Sequence, residues 1–92
     1  MSNPSKVRIE LSREEALVLL DYLQREVDHN GGNSLKSSID HDAEIWALNE
    51  LSCLLERVLT EPFDQNYSNE LSAAQGALVA RCGKWFFTPI EK

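Results

Sequence analysis

Residues 12–32 read SREEALVLLDYLQREVDHNGG, and this stretch decides the fold class. Ser12 and Glu15 stand three apart ahead of an apolar run. At that spacing a serine hydroxyl can cap the third helical amide while the glutamate returns to the serine's own amide. At about 100° per residue, Ala16, Leu17, Leu19, Leu20, Leu23 and Val27 gather on one side of a helix. Asp21 and Arg25 lie one turn apart and can pair on another side. Gly31-Gly32 supplies the left-handed backbone that favours a helix end. The stretch therefore predicts a first helix from Ser12 to about residues 28–30, followed by a flexible polar loop over residues 31–38.

Outward from this helix, the chain continues in the same style. A second helix is expected over residues 40–60. Ser38 or Asp40 would cap it, and Asp42 and Glu44 suit its positive N-terminal dipole. Ile45, Leu48, Leu51, Leu55, Val58 and Leu59 make its apolar stripe. Pro62 ends it, and the aromatics of the 63–67 connector are expected to tuck against the core. A third helix is expected from Ser68 or Asn69 to Cys82, with Gly83 after it. Leu71, Ala74, Leu78, Val79 and Cys82 form its inward face, and Ala73, Gly76, Ala77 and Ala80 its small-residue face.

The ends differ in pattern. After a disordered lead over residues 1–5, Val7, Ile9 and Leu11 alternate with Lys6, Arg8 and Glu10. That is the period of a strand with one buried face. Trp85-Phe86-Phe87-Thr88 is equally strand-like, with Pro89 limiting its length. The expected fold is mainly α: one domain over residues 6–92, with three helices and a short two-stranded β-sheet made by the N- and C-terminal segments.

At 92 residues the chain is one domain's worth, with 42% hydrophobic and 26% charged residues, ordinary globular values. No apolar run approaches the roughly 20 residues a membrane span requires, and residues 1–6 carry no apolar leader. The expected address is the cytoplasm, where Cys53 and Cys82 would remain reduced and serve as small core hydrophobes. The formal net charge is −6. Residues 40–70 hold eight acids against Arg57 alone among Lys and Arg. So acidic a segment repels phosphate backbones and attracts a basic partner. No nucleic-acid or membrane partner is expected.

Chemistry is sparse. Asp28-His29 and Asp40-His41-Asp42 flank the glycine loop, but neither has helical ligand spacing, and a dipole role explains them better than a metal. The chain has no nucleophile elbow, phosphate-binding glycine loop or paired-histidine zinc motif. Cys53 has no helically adjacent histidine to activate it. No catalytic residue, metal or cofactor is assigned, and the expectation is a protein that is not an enzyme. The sharper signal is Trp46, opposite the main stripe of the second helix among Asn49, Glu50, Cys53 and Arg57. Tryptophan and arginine are enriched at binding hot spots. Small domains rarely leave a tryptophan bare, so cover by the first helix or by the aromatic tail is the expected arrangement.

Glu15-Ala16-Leu17-Val18-Leu19-Leu20, Leu54-Leu55-Glu56 and Glu61-Pro62-Phe63-Asp64 through Tyr67 resemble a pattern in small uncharacterised bacterial helical proteins with a Glu-Pro-Phe-Asp connector after a leucine-rich helix. The resemblance covers about residues 11–71, excludes the aromatic tail and carries no assigned activity. It implies a bacterial cytosolic protein. Together these readings favour an acidic protein-binding module, of the kind of an immunity or antitoxin protein that neutralises a basic toxin. Its expected contacts are Asp42, Trp46, Glu50, Glu56 and Asp64. The alternative is a homodimeric structural or regulatory protein, joined through the third helix or the tail.

Overall fold

A computed structural model describes residues 5–59 and 65–87. Helix α1 spans Arg13–Leu23 and runs on into a wider π-type turn, Gln24–His29. Its start follows the capping box: the Glu15 amide donates to Ser12 Oγ at 3.1 Å, and the Ser12 amide donates to Glu15 Oε1 at 2.8 Å. That second bond, followed by the serine hydroxyl and Arg81, holds the Glu15 carboxyl below its ordinary value of 4.5, against the opposing effect of burial. Gly31 and Gly32 then reverse the chain with φ of 61° and 78°. At Gly32 a Cβ would also stand 3.0 Å from Ile45 Cδ1, so a side chain is resisted there twice over.

The loop expected after the glycines is instead a 3₁₀ helix, Asn33–Ser38. Side chains order it: Asn33 Nδ2 donates to the Asn30 carbonyl, Ser34 Oγ to Glu26 and Ser38 Oγ to the Leu35 carbonyl. Helix α2 spans Asp42–Val58 and helix α3 spans Tyr67–Cys82.

The core lies along α1. Leu17, Leu20 and Leu23 are wholly buried, with Ala16, Val27, Leu55 and Ala74 around them. Both α2 and α3 pack on α1 but hardly on each other. Ser52 sits on the buried side of α2, and its hydroxyl has no hydrogen-bond partner. Polar ties hold α3. The Tyr67 hydroxyl donates to Asp21 Oδ1 at 2.7 Å, Arg81 Nη2 to Glu15 Oε2 at 2.9 Å, and Arg13 pairs with Glu70 at 3.4 Å. Asp21 also receives Arg25 at 2.8 Å, the pairing expected from the sequence.

The expected terminal sheet is not formed: no strand occurs among the described residues. Val7 is 89% exposed and Phe87 86%, and Ile9, Trp85 and Phe86 are exposed too. Alternation directs apolar groups to one face only where a second surface receives them, and here none does. Trp85 instead stacks on its neighbour Phe86, their centroids 5.4 Å apart. The inward face expected for α3 holds for Ala74, Leu71 and Leu78, whereas Val79 and Cys82 are exposed. Phe63, the other aromatic of the connector, lies outside the described residues, as do residues 1–4 and 88–92.

Two predictions follow from this packing. Ser52→Ala removes a buried, unpartnered hydroxyl from a helix interior, so urea denaturation should show stabilisation of up to about 1 kcal/mol. Burial and the bond to Asp21 push the Tyr67 phenol from 10.0 up to about 12. The protonated phenol is the form favoured by the fold. Its contribution is complete below pH 10 and fades as pH rises towards 12. Ultraviolet titration should show this late step, lost in Tyr67→Phe and moved to lower pH in Asp21→Asn.

Candidate functional site

Helix α2 begins with a reciprocal cap. The Ala43 amide donates to His41 Nδ1 at 2.9 Å, and the Asp40 amide donates to Glu44 Oε1 at 2.9 Å. The cap is thus His41, where Ser38 or Asp40 was expected from the sequence, and the histidine's ring nitrogen is occupied by the backbone. Asp42 and Glu44 face the positive end of the helix. This cap borders an open depression of about 590 Å³ lined by Gly31, Gly32, Lys36, Asp40, His41 and Ile45, among others. Among the described residues no three His, Cys, Asp or Glu side chains converge as metal ligands.

The structure places Trp46 in the open. It is 69% exposed, which corrects the expectation that α1 or the tail covers it. The tail aromatics are themselves exposed, and the core along α1 engages α2 through Leu48 and Leu55 on another side. Trp46 is one wall of a smaller hollow, about 150 Å³, shared with Val27, Gly31, Ile45 and Asn49. Asp42 and Glu50 stand one turn before and one turn after it, on neighbouring lines of the same face, both exposed. None of the salt bridges found among the described residues engages either carboxylate. The bases Arg13, Arg25 and Arg81 instead hold acids of α1 and α3.

Three of the five expected contact residues, Asp42, Trp46 and Glu50, therefore share one surface. Glu56 does not join them. It is half-buried on another side of α2 and accepts a bond from Gln24 Nε2 at 3.0 Å. Asp64 lies outside the described residues. Sequence reasoning missed the hollow beside Trp46, because it depends on how α1 and the glycine turn approach α2. The cysteines are free thiols, Cys53 half-buried and Cys82 exposed, which corrects the expectation of a core position for Cys82.

Among the described residues, no helix is long and apolar enough to cross a membrane. The chain matches no protein-family model, no curated protein and no solved structure. In a Trp85→Phe variant, which leaves Trp46 as the sole tryptophan, emission should be red-shifted and readily quenched by acrylamide. Blue-shifted, protected emission would show Trp46 covered.

Proposed function

We propose that this protein is a non-catalytic binding module whose α2 face, Asp42–Trp46–Glu50, receives a basic protein, in the manner of an immunity or antitoxin protein that neutralises a basic toxin. The observation that carries the reading is Trp46, uncovered between two exposed carboxylates that no base of the described chain neutralises. A bare indole beside an apolar hollow offers an anchor whose burial on binding contributes strongly. Carboxylates at its margin steer Lys or Arg of a partner into register and speed encounter. Glu56, bonded to Gln24, falls outside this contact set, and Asp64 lies outside the described residues.

The test is affinity capture from lysate at low and high salt by wild-type protein, Trp46→Ala, and the double variant Asp42→Asn/Glu50→Gln. A basic protein retained by wild type should be lost with Trp46→Ala, which should weaken binding by at least about tenfold, the scale of a hot-spot truncation. The double variant should chiefly slow association and flatten its salt dependence. Identical capture by all three proteins, or no basic protein at either salt, overturns the reading.

A further inference from the structure

Helix α2 carries a second uncovered face, distinct from that of Trp46. Ala47, Leu51, Leu54 and Val58 recur at intervals of four, three and four residues, the spacing of a coiled-coil seam. The described structure leaves this seam largely bare: Val58 is 74% exposed and Leu54 46%, Ala47 is exposed and Leu51 half-buried. The core along α1 takes the adjacent side through Leu48 and Leu55 and reaches the near edge of the seam at Leu51, leaving Ala47, Leu54 and Val58 as its bare part. On the other side the seam is bordered by two exposed charges seven residues apart, Glu50 and Arg57.

We infer that this seam is the interface of a homodimer in which two α2 helices pack antiparallel about a two-fold axis. The argument for a second copy is charge complementarity. In an antiparallel pair, residues that border the seam on one side face their own equivalents across the axis. Leu51 then lies opposite the second copy's Leu54, and Ala47 opposite its Val58. Glu50 comes within reach of the second copy's Arg57, and the symmetry makes that pairing twice. A parallel pair would set Glu50 against the opposite border, where Leu48 and Leu55 already face α1, and would leave both charges unpaired. The one base of the acidic segment thus stands where a second copy of that segment needs it. Trp46 lies about 110° around the helix from the seam, so the dimer does not consume it.

The experiment is sedimentation velocity on the full chain from low micromolar to near-millimolar concentration. The variants are Val58→Glu, Glu50→Arg, Arg57→Glu and the double reversal, with circular dichroism confirming helicity. Val58 is exposed in the single chain, so its substitution leaves the fold intact while placing a charge in the seam. We expect wild type to dimerise and Val58→Glu to weaken association at least about tenfold. Each single reversal should weaken it about three- to tenfold, from two symmetry-related pairs of exposed charges. The double reversal should restore it. A monomer throughout the range overturns the inference. So does association indifferent to Val58→Glu and the reversals, or association abolished only by replacing Trp85 and Phe86. Glu50 borders both faces, so the two readings are told apart by Val58→Glu, which lies outside the Trp46 face, and by Trp46→Ala, which lies outside the seam.

Discussion

One helix has to serve both sides of this protein's core, and the rest of the structure follows from that constraint. Leu17, Leu20 and Leu23 of α1 are completely buried, and α2 and α3 each pack against α1 while scarcely meeting each other. A bundle in which each helix touches the other two would cover two sides of every member. Here only α1 is covered twice. A chain this short buries a limited fraction of its surface in any arrangement, and this one leaves the outer faces of α2 and α3 without a third layer. The Cα radius of gyration is 15.3 Å, against about 12 Å for a compact domain of this length.

Charge is divided along the same lines. Arg13, Arg25 and Arg81 each hold a carboxylate of α1 or α3, and Asp21 joins Arg25 to the Tyr67 hydroxyl. Such exposed pairs contribute little individually, yet they fix where α3 lies along α1. Among the described residues, helix α2 has no such partners for its outward acids. Glu44 belongs to the cap and Glu56 meets Gln24, but Asp42 and Glu50 present their charge to solvent. The outward face of α2 thus combines exposed apolar groups with carboxylates that no base among the described residues pairs, and that combination supports a binding role for α2.

What the sequence made legible was local. The Ser12–Glu15 box, the Asp21–Arg25 pair and the left-handed Gly31-Gly32 turn each depend on residues within a turn or two, and each is present as read. What it concealed was relational. Alternation at Val7, Ile9 and Leu11 states which side a strand would bury, but not that a surface exists to bury it against, and the terminal segments lie uncovered. On α2 the apolar positions span half the helix circumference. Periodicity could not separate Leu48 and Leu55, which pack on the core along α1, from Val58, which is exposed. For Trp46 the general rule that small domains cover tryptophan failed because the nearest apolar groups are committed to α1. The order of residues 33–38 was hidden for a different reason: its side-chain bonds reach back to Glu26 and Asn30, which only the closed turn brings near.

Helix α2 thus has three uses for one circumference: a side against α1, a bare apolar seam and an acidic face around Trp46. Glu50 stands on the border of the last two. Its carboxylate can meet a basic partner at the Trp46 face or Arg57 across a two-fold seam, and one carboxylate serves both poorly at once. If both interactions form, each must weaken the other by the same free energy, since linkage between binding equilibria is reciprocal. The coupling is bounded by what a single exposed ion pair contributes, roughly 0.2–1 kcal/mol. It is too small to make dimerisation and partner capture exclusive, and the apolar groups of each face, Val58 and Leu54 on one and Trp46 on the other, carry the larger share of each contact.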